Sequence, residues 1–351
     1  MIREDWEINV AKRVTLADIA CHTGLSAATV SMALNERPES RIPERTAERV
    51  RTAAAELGYT PDVNARGLRT GRTDAIGFVS DEVTLTRYAS AMIRGLLDES
   101  ARRGFAVMMA EAETDSAKQD RAVKALLERR IDGLIFGQMR AHQIELPSLD
   151  IRVPIVLING TAPGMPAVLP DEYQAGRDAA NYLIQHGHKK IAMIGRSSDH
   201  QDPTFSATIP ERMRGIDDVL EGAGLSLTQE VYGSGWEPEF GYEGTLRILD
   251  SSEITGLIAA NDRVAFGALQ AAQVRGLSVP DDLSIMSFDD ELLATYVHPQ
   301  LTTMRLPYQE MGEIGMQLLA DAITNRTALE PETVLVPMPL VERESVRQIA
   351  G

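Results

Sequence analysis

From Asp74 onward the chain alternates short apolar runs with amphipathic stretches, and this alternation limits the fold more than any other feature. "AIGFVS", "AVMMAE", "DGLIFG" and "VPIVLING" are short, continuous apolar runs that suit buried strands. Between them, "MIRGLLDESARRG" and "AVKALLERR" space their apolar residues as helices do. A second series resembles the first: "AANYLIQHG", "KIAMIG", "RMRGIDDVLEGAG", "GYEGTLRILDS", "GLIAAND", "AFGALQAAQVRG" and "LSIMSFDD". Strands that alternate with helices pair in parallel, with helices covering both faces of the sheet. Two such series predict two lobes, with a ligand cleft at the carboxyl ends of their strands. The expected class is therefore α/β: a two-lobed body with parallel sheets behind an N-terminal helical head.

The head announces itself in "VTLADIACHTGLSAATVSMALN". Thr15 is placed to N-cap a first helix, with Asp18 completing a capping box. Leu16, Ile19 and Ala20 form its inner face. Gly24 suits a turn that needs positive φ, and Ser26 caps a second helix whose Val30 and Leu34 point inward. Pro43 suits the first turn of a third helix that ends at Leu57, with Gly58 just beyond. This is a helix-turn-helix, whose second helix enters the DNA major groove by its N-terminal part. Ala27 and Ala28 would face base edges there, and Met32 follows one turn later. Small side chains allow close approach and contact with thymine methyls, but no bidentate hydrogen bonds. Thr29, Ser31 and Asn35 are short polar groups suited to phosphates, which position rather than specify.

Charge supports a local DNA contact. The net charge is −16, yet residues 12–72 carry ten Lys/Arg against seven Asp/Glu, a net of +3, while residues 73–351 carry 24 against 41, a net of −17. A mildly basic head on an acidic body favours contact at the head alone. No apolar run is long enough for a membrane span, and "MIREDWEINVAK" has no apolar core of a signal peptide. Cys21 is the sole cysteine, so no intrachain disulfide framework exists. A reducing cytoplasm is the expected compartment, with no membrane partner.

The chain also resembles the lactose- and purine-repressor family of bacterial transcription regulators. The resemblance rests on "TLADIA", "GLSAATVSMALN", "ERTAERVRTAAAELGYTPDVNARGLRTGRT" and the "IGFV" strand behind them, and it extends to about Val346. It implies a helix-turn-helix domain over 13–60, a hinge and linker over 61–72, and an effector-binding and dimerisation body over 73–346. It implies that the hinge segment Pro61 to Arg69 orders on operator DNA and that Leu68 wedges into a central minor-groove step. Tyr59, Asn64 and Ala65 join the DNA-contacting set on the same grounds, together with Thr15 and Ser26. The partners implied are a palindromic operator, a second copy of the chain as a homodimer, and a small-molecule effector. One departure is "NERPESRIPERT", which is longer than in the lactose repressor.

For the body the resemblance implies the fold of periplasmic sugar-binding proteins, with three crossings between lobes. The first lobe is expected to take about 73–160 and 305–327. The second is expected to take about 163–290 and 330–346, including "TVLVPMPLVER" as its C-terminal strand. Asn159, Asn261 and Asp289 end apolar runs, Arg212 opens the "RMRG" helix, and Trp236 follows "GSG". They match family positions that hold effector, and their chemistry suits a carbohydrate: amide and carboxylate for hydroxyls, a guanidinium fork, and a ring for a pyranose face. Arg87 and Tyr88 stand where the purine repressor has aromatic residues, and the arginine suggests a more polar ligand than a purine. No metal site is expected, since the histidines of "HGHKK" fit a turn before a strand. No nucleotide cofactor is expected either, since the chain lacks Gly-x-Gly-x-x-Gly after a strand and lacks a P-loop. No Gly-x-Ser-x-Gly elbow is present, and the chain reads as a regulator rather than an enzyme. The rivals are a periplasmic solute-binding protein, which needs a signal peptide and no basic head, a regulator with a nucleobase effector, and an α/β enzyme, which needs a catalytic pair in the cleft.

Overall fold

The computed structural model describes residues 14–34, 42–59, 72–81, 88–112 and 115–349. The chain forms two compact units, Met1–Thr73 and Asp74–Gly351. In the first, α1 (Leu16–Thr23), α2 (Ala27–Leu34) and α3 (Glu44–Glu56) pack around Ile19, Val30, Ala33 and Val50. Thr15 and Asp18 form the reciprocal capping box at the start of α1, with the Thr15 N–H donating to Asp18 Oδ2 at 2.8 Å. Gly24 ends α1 at φ 69°, a left-handed conformation that is costly for a residue with Cβ. Ser26 Oγ then accepts from the Thr29 N–H at 3.1 Å and closes the first turn of α2. Ala33, not Leu34, is the second fully buried residue of α2; Leu34 packs at the edge of the same core.

In the second unit each apolar run becomes a strand. The first sheet contains β1 (Ala75–Ser80), β2 (Ala106–Glu111), β3 (Gly133–Gln143), β4 (Ile155–Thr161), β5 (Ala167–Pro170) and β11 (Thr333–Val336). Their spatial order is β11-β5-β4-β3-β1-β2, and every pair is parallel. The second sheet contains β6 (Ile191–Arg196), β7 (Gln229–Tyr232), β8 (Gly256–Ala259), β9 (Ser284–Asp289), β10 (Thr302–Arg305) and β12 (Leu340–Val341). Its order, β12-β10-β9-β8-β6-β7, repeats that of the first, with only the last strand antiparallel. The strands alternate at period two between cores on opposite faces. In β3, Ile135 joins one core while Leu134 and Phe136 join the other. In β6, Ile191 and Met193 oppose Ala192 and Ile194 in the same way. Both faces must therefore be covered, which is why these runs lack polar alternation.

The covering helices are α4 (Tyr88–Arg103), α5 (Ser116–Glu128), α6 (Glu172–Gln185), α7 (Ile209–Gly222), α8 (Pro238–Ser251), α9 (Asp262–Val274), the short α10 (Leu292–Tyr296) and α11 (Tyr308–Asn325). Among the described residues, three helix pairs touch backbone to backbone through glycines. A Cβ at Gly95 of α4 would stand 2.0 Å from the Gln309 carbonyl oxygen of α11. Gly176 of α6 meets the Arg212 carbonyl of α7 in the same way, at 2.1 Å, and Gly267 of α9 meets the Pro238 carbonyl of α8, at 1.9 Å. No described helix is long and apolar enough to cross a membrane.

The chain passes between the sheets three times: after β5 at Pro170, after β10 through Leu306 and Pro307, and between β11 and β12 through Pro337, Met338 and Pro339. These positions differ from the sequence expectation. Residues 163–170 and 333–336 belong with the first sheet, and 302–305 with the second. "TVLVPMPLVER" is not one strand. Pro337 and Pro339 lack N–H donors, so the ladder stops there and the chain changes sheet. The crossings lie side by side: Asp171 N–H donates to the Val336 carbonyl at 2.8 Å, and Arg305 N–H to the Pro339 carbonyl at 2.9 Å.

The glycine contacts carry a stability prediction. Gly95→Ala should lower unfolding free energy by about 1–3 kcal/mol through overpacking. Gly222→Ala, on a helix end with nothing within 4 Å of the added methyl, should be neutral or stabilising. Urea unfolding of both variants checks this, and equal effects would contradict the close-approach argument.

Candidate functional site

On the head, α2 leaves Ala27, Ala28 and Met32 exposed, Met32 at 38%, while its opposite side carries Val30 and Ala33 into the core. The small-residue surface is thus a free helix face. Thr15 and Ser26 both use their hydroxyls as caps, and Ser26 Oγ also lies 2.9 Å from Thr29 Oγ1. Ser31 is half-buried. Tyr59 packs against the head core, and its N–H donates to the Ala54 carbonyl at 2.8 Å. Asn35, Asn64, Ala65 and Leu68 lie outside the described residues.

In the body, a cavity of about 400 Å³ opens where the strands of both sheets end. It is lined by five of the residues read from the sequence: Asn159, Arg212, Trp236, Asn261 and Asp289. Arg87 and the side chain of Tyr88 lie outside the described residues. Local backbone turns two of these groups inward. Asn159 has φ 55° two residues before the end of β4, and Asp289 has φ 102° at the end of β9. Asn and Asp tolerate positive φ better than most residues, so the strand ends can turn sharply there. The neighbouring Asp290 faces away and pairs with Arg343.

Arg212 anchors the cleft. It is 1% exposed, and its Nε and Nη2 donate to the two oxygens of Glu172 at 2.6 and 2.7 Å. Nη1 donates to the Ala260 carbonyl at 2.7 Å, and the guanidinium lies 4.1 Å from the Phe288 ring centroid. Burial opposes its charge, but the Glu172 carboxylate more than offsets this and raises its pKa. The expected fork toward a ligand is therefore closed on Glu172. Bidentate geometry explains why: the carboxylate at the first crossing matches a planar guanidinium. Asn261 is similarly engaged, with Oδ1 capping α9 through the Val264 N–H at 2.8 Å and Nδ2 donating to the Trp236 carbonyl at 3.2 Å. Trp236 Nε1 donates to the Gly195 carbonyl at 2.9 Å, which fixes the indole at the cavity wall.

What remains open is narrower than the residue types suggest. Asn159 Nδ2 donates to the Gln138 carbonyl at 2.9 Å, leaving Oδ1 as an acceptor. No described residue donates to the Asp289 carboxylate. Burial pushes its pKa well above the usual carboxylate range; Arg212 acts in the other direction, while Asp262 and Glu172 push it further up. Asp262 is wholly buried behind it and accepts from Ser287 Oγ at 2.5 Å and from the Glu291 N–H at 2.6 Å. Burial raises its pKa to about 7 in spite of those bonds.

Several lining residues were not read from the sequence: Glu172, Tyr308, His200 and Phe205. Tyr308 is buried and donates to the Met139 carbonyl at 3.2 Å. His200 and Phe205 lie in the polar stretch "SSDHQDPTFS", where no periodicity marks them as cleft residues. The histidines of "HGHKK" serve structure: His186 Nδ1 meets the Tyr182 carbonyl at 2.7 Å, and His188 bridges Thr255 and the Arg347 carbonyl at 3.1 and 3.2 Å. Among the described residues no three His, Cys, Asp or Glu side chains gather as a metal site.

A helix-turn-helix unit with a bare recognition face, followed by a two-lobed body with a polar cleft, defines a DNA-binding regulator of the ligand-responsive kind. Comparison with known proteins agrees. Residues 15–62 match the bacterial regulatory proteins of the lacI family, and residues 180–346 match the periplasmic binding protein-like domain. The HTH-type transcriptional regulator RegA of Clostridium saccharobutylicum is 30% identical over 94% of this chain and 98% of its own. Among solved structures, a lac repressor dimer bound to operator and the anti-inducer ONPF has a TM-score of 0.76 at 25% identity, covering 96% of this chain and 100% of that one. A complex of the transcriptional regulator CelR with cellobiose has a TM-score of 0.61 at 27% identity, covering 95% of this chain and 100% of that one. The chain belongs to the lacI family of bacterial transcriptional regulators.

The buried carboxyl yields a pH prediction. The folded protein holds the Asp262 proton more tightly than an ordinary carboxyl does, because its pKa stands at about 7 rather than 3.8. Its contribution to stability is therefore full below the ordinary value and falls as pH rises toward about 7. Asp262→Asn should remove that fall. Relative to wild type, the variant should gain up to roughly 4 kcal/mol between pH 4 and pH 7.5. Urea unfolding across that range checks it, and a pH-independent difference would refute it.

Proposed function

We propose that this regulator is a repressor that binds a palindromic operator as a homodimer and that a neutral carbohydrate in the cleft sets its affinity for DNA. Residues 13–60 bind the major groove, and Ala27, Ala28 and Met32 face base edges. Thr29, Ser31 and Asn35 contact phosphates, with Thr15, Ser26 and Tyr59 beside them. Residues 61–72, with Asn64, Ala65 and Leu68, form the hinge at the central minor groove. Residues from 73 onward hold the effector and the dimer contact, and Arg87 and Tyr88 join the cleft from its first lobe. The protein works in the cytoplasm, where the operator is. The lac repressor dimer on its operator, a structural relative of the whole chain, supports the dimer and DNA reading.

One observation carries the effector class. In a cleft where Arg212 and Asn261 are already engaged, Asp289 and Asn159 Oδ1 remain as open acceptors beside the Trp236 ring. Open acceptors next to an aromatic face suit a molecule with many hydroxyl donors and an apolar ring face. The structural relative CelR is solved with cellobiose, which agrees with this class. Effector control of DNA affinity requires different ligand contacts in the two states of the body. The crossings beside Glu172 and Leu306 put cleft residues where the lobes join.

The test uses the full-length chain. Selection from random DNA should return inverted repeats bound by two copies, and a monomer protecting a single half-site would refute the dimer reading. Asp289→Ala should abolish the saccharide response, because it removes the cleft carboxyl that no described residue donates to; leaving a buried partner unpaired costs roughly 1–3 kcal/mol. DNA binding by the unliganded variant should stay intact if the ligand is an inducer and be lost from repression if it is a corepressor. Fluorescence anisotropy with and without saccharide measures both. Tight binding of a nucleobase with no saccharide response would overturn the carbohydrate assignment.

A further inference from the structure

The segment between β6 and α7 is a strap across the cleft. It contains a short 3-10 helix, Ser198–Gln201, capped by Ser197 Oγ, which accepts from the Asp199 N–H at 3.2 Å. Asp202 Oδ1 accepts from both the N–H and the hydroxyl of Thr204, at 2.9 and 2.7 Å, and shapes the turn that follows. The strap starts from the second lobe but bonds to the first. Gln143 N–H donates to the Pro203 carbonyl at 2.7 Å, and Ala207 N–H donates to the Ala141 carbonyl at 2.8 Å. The extension of β3 to Gln143 supplies this contact. His200 is therefore held over the cavity by the chain that leaves the second lobe and by main-chain bonds to the first.

Its surroundings are aromatic. The imidazole lies 5.5 Å from the Phe205 ring and meets the Trp236 ring edge-on at 4.9 Å. Arg140 of the first lobe covers the Phe205 ring at 5.0 Å, and Arg212 stands 5.8 Å from Trp236. His200 is only 4% exposed, yet its Nδ1 is buried with no hydrogen-bond partner, and no described residue bonds to the other ring nitrogen. A buried polar group without a partner is uncommon and calls for one. Nδ1 is sealed from the cavity that the ring lines, whereas the unpaired Nε2 is not, so Nε2 is the nitrogen that a bound molecule can reach.

We propose that His200 is a specificity-determining residue that exchanges a hydrogen bond with a hydroxyl of a neutral saccharide in the cleft. The inference rests on the carbohydrate reading above and adds to it the residue that reads a hydroxyl from the strap side. Burial, then Arg212 and Arg140, hold the imidazole pKa below its usual value, against the pull of Asp199. A neutral imidazole has one donor and one acceptor nitrogen, and a hydroxyl can satisfy either. The strap bonds to β3 would carry the same contact to the first lobe, so a ligand seen by His200 is seen by both lobes.

The alternative is that His200 only packs between Phe205 and Trp236. His200→Phe separates the two, since it keeps an aromatic ring there and removes both nitrogens. Calorimetry would compare full-length wild type, His200→Phe and His200→Gln against ribose, sucrose, cellobiose and hypoxanthine. The expected result is at least a tenfold loss of affinity in His200→Phe for the saccharide that wild type binds, or about 1.4 kcal/mol. His200→Gln, which keeps a donor and an acceptor, should recover part of it. Thermal unfolding should show both variants folded; if His200→Phe unfolds, the Gln variant paired with His200→Leu repeats the comparison. Saccharide binding at unchanged affinity in the folded Phe or Leu variant would overturn the role of His200 and leave the carbohydrate reading standing. Absence of saccharide binding by wild type, with or without hypoxanthine binding, would overturn the carbohydrate reading and this inference with it.

Discussion

The cleft depends on the Arg212–Glu172 pair. Glu172 begins α6 just after the first crossing, and Arg212 sits on α7, so the pair ties a crossing to a helix of the second lobe. Both side chains are almost wholly buried. Breaking such a pair by removing one partner costs about 3–5 kcal/mol, because the remaining charge is left uncompensated. The third bond, to the Ala260 carbonyl, fixes the guanidinium at the end of β8, beside Asn261 and under Phe288. Close contact of α6 with α7 through Gly176 and Gly215 is what brings the two side chains into range. Helix packing and the buried ion pair are thus one device.

Arg212 is bonded to Glu172, and among the described residues no cation forms an ion pair with Asp262 or Asp289. Asp262 is tied to Ser287 and Glu291, and Asp289 projects from the next position inward with no donor among the described residues. Burial and mutual repulsion raise the pKa of both. A site of this kind favours a ligand that brings donors without bringing negative charge. Polyhydroxylated molecules do so, and the Trp236 ring adds an apolar surface at the same wall.

The two-lobed fold was legible in the sequence because both faces of each sheet are covered. That demand writes uninterrupted apolar runs such as "AIGFVS" and "LSIMSFD", separated by helices long enough to cross over. The head was equally legible, since Thr15, Gly24 and Ser26 act through local backbone chemistry that depends on neighbours in sequence. Lobe boundaries were not. β5 and β11 are four residues each, and nothing in "AVLP" or "TVLV" says which sheet edge will accept it. Asn159, Arg212, Trp236, Asn261 and Asp289, singled out by the family resemblance and by their places near strand ends and helix starts, all line one cavity. His200 and Phe205 were missed because their place comes from a strap that bonds across to β3, a contact between residues about sixty apart.

By itself, then, the sequence determined the element types, the doubled parallel architecture, the capped helix-turn-helix and the membership of a regulator family. The first three follow from periodicity and turn chemistry, which are short-range properties of the chain, and the last from the resemblance of its motifs to a known family. Only the tertiary structure decided how hydrogen-bonding capacity is divided. Arg212 closes on Glu172, forty positions away, and Asn261 turns back to cap its own helix, while Asp289 is left facing the cavity. A residue type states how many bonds a side chain can make. Which of them remain for a ligand depends on the neighbours that folding brings within 3 Å, and those come from distant parts of the chain.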